Sequence, residues 1–414
     1  MTHRLPIGRR AVTRSAVLGS AALLLGVAGR ARADSVPTPP ASAAPAPSAP
    51  GEVVPTLPAP TGPHAVGAHP VHLVDASRRD PWLPAIPVRE LMLTVFYPAR
   101  DITGCSPLPQ LPPLAARLFG QIAPRSRPQL PAAGVDWAAT RSHSFSGAAP
   151  LPGRRPVLLH SPGGGDPRGL GTLLAEELAS HGAVVVSVDH PGDAAGVEFP
   201  DVTDDRREPV RATELRRDPR DEPSVFRRMI DARVADLRFV LERLGRAAEL
   251  PLPDGLADVL DLRRVGVYGH SAGGSAVTEA LHEDRRVRAG INLEGFLDHP
   301  PAVPGGAAEP FAVTANGVDR PLLLLGSERF DRRAELERSW SALAARSGRW
   351  VHRRCVADAG HWTFTDFAAV LPQLRAAGLM TAAGQEALIG TADPAVALPE
   401  IHRTVRGFFA RHLR

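Results

Sequence analysis

From Val71 onward, short apolar runs alternate with longer amphipathic stretches. Val71–Val74 and Leu91–Tyr97 read as strands, the second closed by Pro98. Further strand-length runs stand at Val157–His160, Ala183–Asp189, Val265–Tyr268, Val287–Leu293, Pro321–Leu325 and Trp350–Val356. Between them lie stretches of helical period: Gly171–Ala179, Val225–Leu244, Ser275–Leu281, Asp331–Ala345 and Leu398–Leu413. The longest carries Met229, Val234, Leu237, Val240 and Leu241 on one face. Unbroken β-branched runs such as Ala183–Asp189 suit a parallel sheet covered on both faces. The alternation therefore predicts an α/β chain with a doubly wound, mostly parallel sheet. Three stretches read as loop or cap insertions: 99–155, which is Pro-rich and partly helical, 192–223 and 297–319. In such sheets ligands bind beyond the carboxyl ends of the strands.

The first 67 residues follow no such pattern. Met1–Ala33 holds the twin arginines Arg9-Arg10, a short apolar segment (Ala16–Ala28) and Ala31-Arg32-Ala33, an A-x-A cleavage pattern. This reads as a twin-arginine export signal, so the protein is expected outside the cytoplasm. The apolar segment falls short of the ~20 residues that span a bilayer, so no stable membrane insertion is expected after cleavage. Residues 34–67 are rich in Pro, Ala, Thr and Ser and read as a disordered linker. The catalytic domain is placed at 68–414.

Charge adds little. Every one of the 48 basic residues is arginine, and 44 acidic residues are spread among them. That mixture reads as a solvated surface. With only 5% aromatic residues it lacks the basic, aromatic-interleaved stripe of a nucleic-acid binder. The expected state is a monomer. Two cysteines, Cys105 and Cys355, leave both a disulfide and two separate thiols open.

The chemistry sits at Gly269-His-Ser-Ala-Gly273, a G-x-S-x-G elbow between the Val265–Tyr268 strand and the Ser275–Leu281 helix. A serine on a sharp strand-to-helix turn needs small neighbours two residues away, and the turn lifts its hydroxyl out of the sheet. Five residues alone are weak evidence; the strand–turn–helix setting strengthens them. An acylating serine also needs a base, an orienting acid and oxyanion donors. Among the histidines downstream of Ser271, His361 lies in Asp358-Ala-Gly-His-Trp-Thr-Phe364, a loop after the last strand. His352 falls within that strand, and His402 and His412 on the closing helix. For the acid, Glu294 ends one strand, while Glu328 and Asp331 follow the next. The donors should be the backbone N–H of Ala272 and one from Ser161-Pro-Gly-Gly-Gly165. Pro162 has no N–H, which leaves Gly163. A dinucleotide fingerprint fails on this run because position 168 is arginine. His64, His69 and His72 straddle the linker boundary and a strand start, so no metal is assigned there; no cofactor is expected.

These motifs together resemble the secreted platelet-activating factor acetylhydrolase-like branch of the α/β-hydrolases. The matching pieces are Val95-Phe-Tyr-Pro98, the 160–165 loop, Leu178-Ala-Ser-His-Gly182 before an apolar strand ending in an acidic residue and His190, and the elbow. Gly290-Ile-Asn-Leu-Glu294, Gly326-Ser-Glu-Arg-Phe330 and Gly360-His361 with Phe364-Thr-Asp-Phe367 complete them. The resemblance implies an α/β-hydrolase fold and places the triad acid at Glu294, where the family usually has aspartate. Ser161-Pro162 stands where it often has His-Gly. It also implies a serine carboxylic-ester hydrolase working through an acyl-enzyme on small or lipid-like esters of short acyl chains. Two rival readings are a cutinase-like lipase or polyester hydrolase, and a non-catalytic envelope binding protein on a hydrolase scaffold.

Overall fold

A computed structural model of the protein describes residues 51–303 and 305–414. The expected export signal and the first part of the expected linker lie outside them. The main-sheet strands are β1 (Ala65–Asp75), β2 (Arg89–Asp101), β3 (Ser106–Pro109), β4 (Arg141–Ser146), β5 (Arg155–Ser161) and β6 (Val184–Asp189), then β7 (Leu260–His270), β8 (Val287–Leu293), β9 (Leu322–Ser327) and β10 (Val351–Val356). They pair in the order β10-β9-β8-β7-β5-β6-β2-β1-β4-β3, and a two-residue strand at Ala149–Pro150 adds to β2. From β10 to β6 every pairing is parallel; β2 and then β1 join antiparallel. This is the doubly wound, mostly parallel arrangement of an α/β-hydrolase.

The helices of eight residues or more are α1 (Pro113–Ser126), α2 (Thr172–Ser180), α3 (Pro223–Leu244), α4 (Ala272–Glu283), α5 (Arg333–Ser347), α6 (Phe367–Ala376), α7 (Ala382–Ile389) and α8 (Pro394–His412). Alternate residues of the central strands point to opposite faces. Val157, Leu159, Val265 and Val267 pack with α3, α4 and α5, while Leu158, Tyr268 and Ile291 pack with α2 and α8. A third apolar cluster joins α1, α6 and α7. The short helices α6 and α7 were not legible in the apolar pattern. The expected insertions contain structure of their own. The 99–155 stretch holds β3, α1 and β4, and the 192–223 stretch a small ladder between Gly196–Glu198 and Val210–Ala212.

Two expectations change. Residues 51–64, assigned to linker by composition, are a packed strap. Val53 pairs with Val135, Thr56 bonds Gln373, Thr61 bonds Glu177, and Leu57 is buried. Proline denies this segment a helix or ladder, but its backbone still finds side-chain partners. The two cysteines, left open as a pair, are free: Cys355 lies on the edge strand β10 and Cys105 just before β3, at the opposite edge. No described helix is long and apolar enough to cross a membrane.

Candidate active site

β7 ends at His270 and α4 begins at Ala272, which leaves Ser271 alone on the turn with φ 52° and ψ −120°. Its N–H donates to the Leu293 carbonyl at 2.8 Å, and its own carbonyl accepts from Ser275 N at 3.0 Å. The flanking glycines are obligatory. A Cβ on Gly269 would stand 2.4 Å from the Gly273 carbonyl carbon, and one on Gly273 only 1.9 Å from the Ser161 oxygen. Register then gathers three strand ends: Gly269 of β7 lies beside Ser161 of β5, and His270 beside Leu293 of β8. The glycine loop, the elbow and Glu294 therefore emerge side by side.

His361 opens a short 3₁₀ turn after Gly360. Its Nδ1 lies 2.7 Å from Glu294 Oε2. A carboxylate only accepts, so Nδ1 is the donor in this bond. The ring is held between Phe330, stacked at 4.5 Å and 15°, and His270, whose centroid is also 4.5 Å away. Glu294 is fully buried at φ 63°. Its Oε1 receives the Ser327 N–H at 2.5 Å and the Ser327 hydroxyl at 2.7 Å. The other two acids lie apart from this pair: exposed Glu328 accepts the Asp358 N–H at 2.9 Å, and Asp331 is also exposed.

Among the described residues, the non-glycine positions of positive φ are Ser271, Glu294 and Asp358. Two are candidate site residues, and the third begins the loop that carries His361. Strain gathered at one place in this way marks a functional region. The N–H groups of Gly163 and Ala272 donate to no acceptor among the described residues. Ala272 is the first residue of α4, so its N–H is one of the free donors of a helix start. Of the three histidines near the linker boundary, to which no metal is assigned, His69 bonds the Pro251 carbonyl and His72 bonds Glu90.

Other groups at the site escaped sequence reasoning. His270 Nε2 donates to the His361 carbonyl at 2.9 Å. Burial, with His361 close by, holds His270 well below the usual histidine range, so the ring stays neutral. Arg127 lies 3.8 Å over the Trp362 ring and pairs with Asp166. Burial pushes the Asp166 carboxyl up despite that partner. Asp166 follows the glycine run directly, which was a signal; Arg127, inside a proline-rich insertion, gave none. Phe330 was quoted in a motif without a role.

The match with the family "Platelet-activating factor acetylhydrolase, isoform II" covers residues 135–414. A probable 1-alkyl-2-acetylglycerophosphocholine esterase of Arthroderma benhamiae is 28% identical over 82% of this chain and 83% of its own length. The platelet-activating factor acetylhydrolase of Bos taurus is 25% identical over 42% of this chain and 40% of its own. Among solved structures, a ferulic acid esterase from Streptomyces cinnamoneus is 35% identical with a TM-score of 0.64, over 88% of this chain and 94% of that one. The chain belongs to the platelet-activating factor acetylhydrolase isoform II family and is a hydrolase of carboxylic ester bonds.

Proposed function

We propose that the protein is an exported serine esterase in which Ser271 is the nucleophile, His361 the base and Glu294 the orienting acid. The observation that carries this reading is the 2.7 Å bond from His361 Nδ1 to Glu294, with Ser271 on a strained elbow directly after His270, whose ring lies 4.5 Å from that of His361. That bond leaves His361 Nε2 as the basic atom. As Ser271 Oγ attacks the ester carbonyl, its proton passes to Nε2, and the carbonyl π pair moves onto oxygen. The N–H groups of Gly163 and Ala272 receive the oxyanion. Removing one such donor typically costs about 3–4 kcal/mol of transition-state stabilisation. Collapse expels the alcohol, protonated by His361, and leaves an acyl-enzyme; water attacking by the same route releases the acid. The twin arginines Arg9-Arg10 and the A-x-A at 31–33 support an extracytoplasmic site of action.

The names of the relatives support small esters of short acyl chains. Phe330, Trp362 and His270 around His361 favour a second acyl class, an aromatic acid. Fluorophosphonate should label Ser271 in the wild type and not in Ser271→Ala. Failure to label folded wild-type protein would favour a non-catalytic binding protein. A p-nitrophenyl ester series from C2 to C16, run beside methyl ferulate, ranks the acyl classes. Fastest turnover at long chains would point to a lipase.

A further inference from the structure

The mechanism above leaves unused a fully buried charge cluster beneath the glycine loop. Arg233 and Asp236 lie on α3 with no exposed surface. Arg233 Nε donates to Asp193 Oδ2, and Nη1 donates to the Pro162 carbonyl at 2.5 Å and to Ser161 Oγ at 3.1 Å. Nη2 donates to the Gly163 carbonyl at 2.9 Å. The other oxygen of Asp193 accepts the Gly165 N–H at 2.9 Å. One ion pair therefore grips the loop at Pro162, Gly163 and Gly165. A second link locks the pair in place. His190 Nδ1 donates to Asp236 at 3.0 Å, its Nε2 meets Ser161 Oγ at 2.9 Å, and Asp236 is also paired with buried Arg89. Residues 190 and 193 thus interlock with 236 and 233.

In a trans peptide the carbonyl and the N–H of one plane point in opposite directions. The carbonyl of Pro162 shares its plane with the N–H of Gly163, and the carbonyl of Gly163 with the N–H of Gly164. A guanidinium that holds both carbonyls from the core side turns both N–H groups away from the core. It also polarises those peptides, which strengthens the outward N–H groups as donors. Glycines offer no side chain to fix their own dihedrals, so the loop depends on an outside anchor. Arginine suits the task because its planar fork binds two acceptors at fixed geometry.

We propose that Arg233, held by Asp193, is the positioning residue that aims the oxyanion-hole amides of the 162–165 loop. This rests on the reading of Gly163 as an oxyanion donor. The test uses the full chain with Arg233→Met, Arg233→Lys, and Arg238→Met as a control on the exposed face of the same helix. The kcat and KM for p-nitrophenyl acetate, the thermal midpoint, and affinity for an aryl trifluoromethyl ketone are measured. Ser271 Oγ adds to that ketone's carbonyl carbon, its proton goes to His361, and the π pair becomes an oxyanion that occupies the hole. Arg233→Met should lower kcat on the order of 10²-fold with KM changed less than about threefold, and weaken the ketone by a matching factor. Arg233→Lys, with the charge but one point donor, should recover thermal stability more than kcat. Arg238→Met should match wild type.

A purely structural role would reduce the yield of folded protein while leaving kcat per folded site and ketone affinity unchanged. That pattern overturns the proposal. Should Arg233→Met not fold, Arg233→Lys decides by the same pair of readouts. Ser271→Ala separates the levels. If it is inactive while folded Arg233 variants keep wild-type kcat and ketone affinity, the esterase reading stands and the positioning role falls. If Ser271→Ala keeps full activity, the oxyanion assignment falls with the nucleophile.

Discussion

Glu294 shows what one methylene does to the geometry of the proposed triad. Its carboxylate must meet Ser327 on the neighbouring strand and His361 on a loop, from a backbone held at φ 63°. That conformation is uncommon for a residue with a side chain. The longer arm reaches the Ser327 N–H and hydroxyl with one oxygen and His361 with the other. The residue type and its place at a strand end were legible in the sequence. The three-way bonding was not, because Ser327 lies 33 positions away. Glu294→Gln keeps the shape but puts an amide where the imidazole N–H needs an acceptor, so the wrong tautomer is favoured. Its kcat should fall by roughly 10³–10⁴. Glu328→Gln touches only the Asp358 N–H and should change kcat less than about threefold. Steady-state kinetics of the two variants checks this, and the reverse ranking would move the acid to Glu328.

At the scale of elements, apolar period located the central strands and the major helices because a doubly covered sheet demands unbroken apolar runs. It failed where packing is local or polar. On α3 the stripe through Met229 and Val240 passes through Arg233 and Asp236, both buried. Charges on an apolar stripe were a readable sign of an internal network, and hydropathy alone discards it. The strap at 51–64 failed for the opposite reason. Its composition satisfies every rule for a linker, yet Leu57 is buried in the cluster formed by α1, α6 and α7. Leu57→Ala should therefore cost about 2–4 kcal/mol of unfolding free energy, as a core truncation does. A mobile linker position would change it by less than about 0.5 kcal/mol. Urea unfolding of the two proteins distinguishes these outcomes.

For the whole molecule, the alternation of strands and helices made the doubly wound, mostly parallel fold class legible, while the strand order that gathers Ser161, His270 and Leu293 at neighbouring strand ends is set by the fold. How many ionisable groups the core encloses was not legible, because burial of a charge depends on partners far along the chain. Those groups set the pH dependence of stability, in two opposing sets. Burial pushes Glu176, Glu279 and Asp366 up to about 7. Their contribution is complete below pH ~4, where unfolded carboxyls also hold their protons, and is lost as pH rises through about 7. Burial pushes His160 down to about 3, and His299 and His402 to about 4, with His270 also well below 6.5. Their contribution is complete above pH 6.5 and is lost as pH falls toward 4, because the unfolded chain takes up protons that the folded chain refuses. Below pH 6 the histidines outweigh the carboxyls; above pH 7 they no longer titrate and the carboxyls alone act. The thermal midpoint should therefore peak near pH 6–6.5, drop at pH 4.5, and fall again by a few degrees at pH 8. Glu279→Gln keeps an acceptor for the Val313 N–H but removes one proton from the alkaline limb. Its fall between pH 6.5 and 8 should be smaller than that of the wild type. Calorimetry across that range decides the matter, and a midpoint that climbs steadily to pH 8 would show that these carboxyls are ionised in the fold throughout.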